Sequence, residues 1–134
     1  APFSREDFEK QRAGTRSVDA RHAEAMLRLY ATGSPPAALD YPVQAIRFGA
    51  GLRLVALPGE VVVDYSLRIQ KEFPGAPLIV AAYSNDVPCY IPTARMLAEG
   101  GYEPIESVKK YGQPAPFSPE AEQIILKAVG QALR

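Results

Sequence analysis

The sequence predicts an α/β fold: a small mixed sheet with a β-hairpin and a right-handed parallel β-α-β crossover, flanked by helices. Residues 52–57 and 78–82 are apolar runs of strand length, and residues 61–73 between them have helical periodicity. A strand, a helix and a strand of this length form a parallel pair with a right-handed crossover. Residues 43–48 alternate as a half-buried strand, and the Gly-Ala-Gly turn at 49–51 closes a hairpin with the next strand.

The N-terminal quarter of the chain has a different pattern. Ser4 is placed to begin a short helix, and Ser17 to begin a longer one, each as a capping residue. Both segments are rich in Arg and Glu and poor in large apolar residues, which is typical of a surface or bridging element. Gly and Pro at 33–36 end the second helix. We therefore expect a helical segment with its linker at residues 1–36 and an α/β module at residues 37–134.

The last third of the chain completes the predicted module. Residues 92–98 form a short helix closed by two glycines, and residues 102–110 are interpreted as extended. A Pro-rich loop at 111–117 is expected to cover a sheet edge. Ser118 is predicted to cap the last helix, with Pro119 at its first position.

Composition excludes several classes of protein. Lys plus Arg and Asp plus Glu both number 15 among the 134 residues, and no basic block with interleaved aromatics occurs, so a nucleic-acid partner is not expected. A single cysteine rules out an internal disulfide. No apolar run reaches the roughly 20 residues of a membrane span, so no transmembrane segment is expected. The one histidine, His22, lies mid-helix among charged residues and is interpreted as a solvated surface residue.

Polar side chains follow both strands of the predicted crossover. Glu60 comes after the first strand, and the loop at 83–90 follows the second. The carboxyl ends of parallel strands meet at one sheet edge, where ligands of open α/β sheets bind. Two segments that are distant in sequence are therefore expected to form one site.

Three runs of sequence resemble a known enzyme family. They are Val43–Gly49, Leu54–Glu60 and Ser84–Thr93, followed by Tyr-Glu at 102–103 and Tyr-Gly at 111–112. Together they are similar to the later part of the catalytic domain of neutral/alkaline (non-lysosomal) ceramidases, in particular the divergent bacterial ceramidase-like branch. The resemblance covers residues 40–120.

The resemblance implies a zinc-dependent amide hydrolase that cleaves the N-acyl bond of ceramide or a related lipid amide. The family's glutamate and tyrosine ligands map to Glu60 and Tyr90, and Asn85, Asp86 and Thr93 are candidates on the substrate side. Two histidine ligands come from the earlier part of the family domain. The family's usual Thr-Thr after the tyrosine is Pro-Thr here, and the acidic pair that follows it is missing. A secreted or periplasmic location is suggested by the resemblance alone.

Elementary chemistry agrees with these assignments. Zinc accepts carboxylate oxygen and imidazole nitrogen, and hydrolytic sites keep one position for water. Glu60 and Tyr90 supply only two oxygens, so the chain is expected to lack half of the active site and to bind no zinc tightly by itself. Zn²⁺ and an upstream half of the same polypeptide are thus expected in a full-length parent. Apolar residues on both sheet faces predict an exposed patch or self-association of the isolated chain.

Each candidate residue also has a simpler interpretation. Glu60 is favourable at a helix N-terminus, and Tyr90 is suited to a half-buried ring. Cys89 is interpreted as a small apolar filler, and Asn85 and Asp86 as turn formers. Two other functions therefore stay open: a non-catalytic α/β interaction or structural domain, and a hydrolase that uses Cys89 with a base from another chain.

Overall fold

The computed structural model describes residues 3–14 and 16–134 and has the predicted α/β architecture. Its helices and strands, in chain order, are α1 Arg5–Arg12, α2 Ser17–Thr32, β1 Gln44–Phe48, β2 Leu52–Ala56, β3 Glu60–Val61, α3 Val63–Glu72, β4 Leu78–Ala81, β5 Tyr90–Ile91, α4 Ala94–Glu99 and α5 Glu120–Ala132. None of the helices in the described part is both long and apolar enough to cross a membrane.

The predicted hairpin and parallel crossover are confirmed. β1 pairs with β2 antiparallel, and β2 pairs with β4 in parallel, which gives a three-stranded sheet in the order β1-β2-β4. The connection from β2 to β4 contains α3. β3 and β5 form a separate two-stranded parallel sheet that the sequence did not predict.

Helices cover one face of the three-stranded sheet. Side chains alternate between the two faces of a strand, and the row Ala45, Val55 and Val80 lies on the inner face. This face packs against α3 and α5 in the main core, whose fully buried members include Ile69 and Val129.

The other face of this sheet has no helix over it in the part of the chain that the structure describes. One row across the three strands consists of Ile46, Leu54 and Ile79, and Phe48 lies opposite Leu52. Phe48 and Ile79 are 54% and 49% exposed. We call these five residues the outer face.

α1 and α2 pack on each other around a small core of their own. Phe8, Ala23 and Met26 are buried there. The interpretation of these helices as a surface or bridging element did not anticipate this small core, which is separate from the main one. The boundary between residues 36 and 37 stays a prediction.

Helix starts differ in detail from the prediction. Ser4 caps α1 as expected, and Asp7 completes the capping box, with Ser4 N donating to Asp7 Oδ2 at 2.8 Å. Ser17 and Ser118 are not caps, because Arg16 and Pro119 occupy those positions and neither makes a side-chain capping bond.

His22 is buried, and the surface interpretation is wrong. Its side chain is only 4% exposed. Nε2 lies 2.8 Å from the carbonyl oxygen of Gln113, which can only accept, so Nε2 carries the proton. Nδ1 lies 3.4 Å from Nε2 of Gln11. A contact partner 91 residues away satisfies this imidazole, which no local pattern reveals.

The segment after α4 is helical and not extended as predicted. Residues Tyr102–Glu106 form one turn of π-helix, and Ser107–Lys109 form a 3₁₀ turn. Lys109 forms an ion pair with Asp19 of α2 at 3.1 Å. Together with the contact between His22 and Gln113, this pair fastens the N-terminal helices to the α/β module.

Candidate functional site

The two predicted metal ligands lie side by side on β3 and β5. Glu60 is the register partner of Tyr90, and Val61 is the partner of Ile91. Because side chains alternate along a strand, Glu60 and Tyr90 share one face of this small sheet. Ile91, on the opposite face, is buried in the main core, whereas Glu60 and Tyr90 are half-buried. The fold therefore brings a carboxylate and a phenol together from distant parts of the sequence.

Glu60 belongs to a strand and not to the start of a helix. The prediction that the helix begins at residue 61 is wrong, because α3 begins at Val63. Glu60 N instead donates to the carbonyl oxygen of Cys89 at 2.9 Å. The helix-dipole interpretation of Glu60 is thus replaced by strand pairing with β5.

Gly59 permits the close approach of these two strands. Its φ is +81°, and a Cβ atom there would lie 2.6 Å from the carbonyl oxygen of Cys89. That is the same oxygen that accepts from Glu60 N. Any side chain at position 59 would push β5 away and disrupt the pairing of Glu60 with Tyr90.

The loop that precedes Tyr90 folds back on the end of β2. Tyr83 N donates to the carbonyl oxygen of Gly59 at 2.9 Å, and Ser84 N donates to that of Leu57 at 3.1 Å. Gly59 N in turn donates to the carbonyl oxygen of Asp86 at 2.9 Å. Backbone hydrogen bonds thus fix the position of this loop.

Two substrate-side candidates, Asn85 and Asp86, shape the same loop. Asn85 has a φ of 68°, in the left-handed region that asparagine tolerates. Asp86 Oδ1 accepts from the backbone N–H of Val87 at 2.7 Å. The interpretation as turn formers is confirmed, and their role toward a substrate stays a prediction.

The third substrate-side candidate, Thr93, caps α4. Its Oγ1 accepts from Met96 N at 3.3 Å, and the residue is only 6% exposed. The hydroxyl is therefore occupied by the helix start, and little of it reaches solvent.

Tyr111 also reaches the site, and sequence reasoning did not assign it there. Its hydroxyl donates to Oε2 of Glu60 at 2.9 Å. This hydrogen bond, together with burial, raises the pKa of Tyr111 to about 12. The only sequence signal was the Tyr-Gly pair at 111–112, which gave no indication of a contact 51 residues away.

The surroundings of Tyr90 are negative. Burial raises its pKa first, and the charges of Glu103, Glu60 and Asp64 raise it further. Asp64 is partly neutralised by Arg95, 3.3 Å away. The phenol is therefore neutral near pH 7, and a cation beside it would be favoured by the same carboxylates.

Cys89 is the apolar filler that the sequence indicated. It is completely buried in the main core, and burial raises the pKa of its thiol to about 12. A nucleophilic cysteine needs an accessible thiolate. The alternative of a Cys89-dependent hydrolase is therefore wrong for this structure.

The donor chemistry fits half of a hydrolytic zinc site. Glu60 and Tyr90 offer two oxygens, and the imidazole of His22 is occupied by Gln113 in another part of the molecule. Among residues 3–14 and 16–134, no three His, Cys, Asp or Glu side chains are grouped so that they could hold a metal ion. A complete tetrahedral site would need nitrogen donors from outside these residues.

Comparison with known proteins leaves the geometry as the main guide to function, because no family model, no curated protein and no solved structure matches this chain.

Proposed function

We propose that this chain is the C-terminal part of a ceramidase-like zinc hydrolase domain, in which Glu60 and Tyr90 supply two metal ligands. The substrate class is a lipid amide, ceramide or a relative of it. By itself the chain is inactive, because the nitrogen ligands belong to an upstream half of the same polypeptide.

The observation that carries this proposal is the register of β3 and β5. The two residues that the family resemblance designates as ligands are direct partners on adjacent strands. Adjacent strands lie about 4.8 Å apart, a separation that two ligands of one ion can bridge. This proximity meets the requirement that two ligands of one ion lie close together, and the parallel crossover alone also predicts it.

The negative surroundings of Tyr90 give further support. Glu60, Glu103 and Asp64 all favour a cation beside the phenol. When bound, zinc acidifies a water molecule and polarises the amide carbonyl. In the proposed site, this chain would hold and orient two oxygen ligands, those of Glu60 and Tyr90.

The outer face supports the proposed upstream half. Helices cover just one face of this mixed sheet, and the apolar side chains on its other face are exposed. An upstream half that packs on Ile46, Phe48 and Ile79 would complete the layers. The same contact would bring its histidines into one domain with β3 and β5.

The test uses the polypeptide encoded by the reading frame that extends upstream of Ala1, expressed with all its native residues. We expect two histidines that complete the zinc site, one zinc per chain by mass spectrometry, and hydrolysis of a fluorescent ceramide. Glu60→Gln and Tyr90→Phe should each lower zinc affinity by more than the roughly 10–100-fold that loss of an outer-shell partner costs.

Tyr41→Phe is the matched control. The Tyr41 hydroxyl donates to the carbonyl oxygen of Pro58 at 2.7 Å, near the site but not on Glu60 or Tyr90. This variant should keep its zinc. Full zinc occupancy in Glu60→Gln would contradict the proposal, as would an upstream sequence without histidine.

The isolated chain gives a second test. With two oxygen donors and no free imidazole, calorimetry should detect no stoichiometric zinc site of sub-micromolar affinity. A site of that strength would mean that the ligand set is different.

A second candidate is a non-catalytic interaction domain, and the exposed outer face favours it. In that case Phe48 and Ile79 contact a separate partner protein. The two functions differ in one measurement: an interaction domain loses binding when the outer face is charged but is indifferent to Glu60→Gln.

A further inference from the structure

Tyr111 has a contact that no ligand assignment explains. Its hydroxyl donates to Oε2 of Glu60 at 2.9 Å. A carboxylate has two oxygens and accepts several hydrogen bonds. Burial, and after it a side-chain hydrogen bond to this same carboxylate, raise the pKa of Tyr83, so a second phenol lies beside Glu60. Oε2 is thus held by Tyr111.

The backbone that carries Tyr111 is fixed from its own segment. We call residues 107–113 the strap. Tyr111 N donates to the carbonyl oxygen of Ser107 at 3.3 Å, and Gln113 N donates to that of Val108 at 2.9 Å. The strap is therefore a closed turn and not a loose loop.

The strap is also tied to both sides of the site. The side chain of Gln113 donates to the carbonyl oxygen of Pro88, in the loop before Tyr90, at 3.0 Å. The carbonyl oxygen of Gln113 accepts from His22 of α2 at 2.8 Å. Lys109 pairs with Asp19 of α2 at 3.1 Å. These contacts fix the backbone of the strap, and with it the position of the Tyr111 hydroxyl.

We propose that Tyr111 is the positioning residue for Glu60: its hydroxyl holds Oε2 and so sets the orientation in which the carboxylate would be offered to a metal ion. This inference rests on the proposed function. Ligating carboxylates are generally hydrogen-bonded by neighbouring groups that orient them, and Tyr111 makes such a bond to Glu60 here. In this role Tyr111 would support Glu60 and would not be a metal ligand. The strap and α2 support it through Gln113 and His22.

The strap also explains the structural role of the buried His22. His22 does not bind metal; it donates to the carbonyl oxygen of Gln113 and so supports the strap that carries Tyr111. The effect of the N-terminal helices on the site is accordingly indirect. His22→Ala should disturb Glu60 less than Tyr111→Phe does.

The test uses the whole 134-residue chain and two readouts by NMR. The first, without metal, is the side-chain carboxyl ¹³C resonance of Glu60 together with the couplings that report its rotamers. The second is the shift of the Glu60 and Tyr90 resonances when Zn²⁺ is added to millimolar concentration, which reads out even weak binding.

Tyr111→Phe should move the Glu60 carboxyl resonance, change its couplings from one rotamer toward an average, and weaken the zinc response about ten-fold. Tyr41→Phe, which loses a hydroxyl bonded to a backbone carbonyl nearby, should leave both readouts as in the wild type. Unchanged backbone amide shifts in Tyr111→Phe would show that the fold is intact.

The outcomes separate the two proposals. If Glu60 in Tyr111→Phe has the wild-type resonance and couplings, or if Tyr41→Phe moves it equally, the positioning role is overturned. If zinc shifts neither Glu60 nor Tyr90 in the wild type while Tyr111→Phe still moves the carboxyl resonance, the metal proposal is overturned and the contact with Tyr111 stands.

Discussion

The two faces of the three-stranded sheet are made from the same kind of residue but have different surroundings. On the inner face, Val55 is completely buried between β1, β4 and the helices. On the outer face, the residue of β2 directly before Val55 is Leu54, flanked by Ile46 and Ile79, which are both exposed. Apolar character in the sequence predicted burial on both sides. Apolar character shows that a sheet face is suited to burial, but it does not show which segment packs on that face.

The largest difference between the two faces is expected in the reactivity of a cysteine thiol. The Cys89 thiol lies in the core behind the inner face, and burial raises its pKa from 9.0 to about 12. At pH 8 we expect it to react with a thiol reagent at least about a thousand-fold more slowly in the folded than in the unfolded chain, because the thiolate fraction falls by that factor. As a matched control, Ile79→Cys in a Cys89→Ala background should react quickly.

The same shift gives a pH dependence of stability. The unfolded thiol loses its proton first as the pH rises past 9, so its contribution to stability is complete below pH 9 and is lost as the pH approaches 12. Urea denaturation at several pH values measures it. Rapid labelling of native Cys89 at pH 8 would show that the core opens more readily than its packing indicates.

The contribution of each face to stability can be compared with two isoleucines. Ile69 of α3 is completely buried against the inner face, and Ile79 is exposed on the outer one. Ile69→Ala should lower the free energy of unfolding by about 2–5 kcal/mol, whereas Ile79→Ala should change it by about 0.5 kcal/mol or less. Urea denaturation of both variants gives the two values. Equal losses would mean that the outer face is covered in solution.

A polar contact between α3 and α5 comes next in size. Arg68 Nη1 donates to Glu122 Oε1 at 2.6 Å, and Glu122 Oε2 accepts from Ala94 N at 2.8 Å. Glu122→Gln should lower stability by about 1–2 kcal/mol, since hydrogen bonds to a charged group contribute more than neutral ones. Glu24→Gln is the control, because its partner Arg28 lies on the exposed side of α2. Losses of the same size in both would contradict a special role for the contact.

The smallest effect on stability should come from charging the outer face. Ile46→Lys with Ile79→Lys should leave the free energy of unfolding within about 0.5 kcal/mol per site. Sedimentation and dye binding should nevertheless change, because an exposed apolar patch promotes association. We expect the wild type to self-associate with rising concentration and the double variant to stay monomeric. A wild type that is monomeric at high concentration would weaken the proposal of an upstream half.

Local patterns were sufficient for the strands and for the crossover. The strands at 44–48, 52–56 and 78–81 lie within one or two residues of their predicted bounds. Their signal is the alternation or density of apolar residues, which depends only on neighbours in sequence.

Contacts between distant segments were not predictable in this way. Residues 60–61 pair with residues 90–91, and this pairing delays the start of α3. His22 is buried because of Gln113, and Tyr111 belongs to the site because of Glu60. Each depends on a partner that no local propensity specifies. The same holds for residues 102–109, which fold into π and 3₁₀ turns and end at Lys109, the partner of Asp19 in α2.

Gly59 has a consequence for how such a site is inherited. Every single-nucleotide change of a glycine codon that alters the amino acid introduces a Cβ atom, and at this position that atom meets the carbonyl oxygen of Cys89 at 2.6 Å. A lineage therefore cannot vary this position gradually and keep Glu60 beside Tyr90. Glycine directly before glutamate, with tyrosine 30 residues after the glutamate, becomes a marker by which chains that retain the site can be distinguished from chains that have kept only the fold.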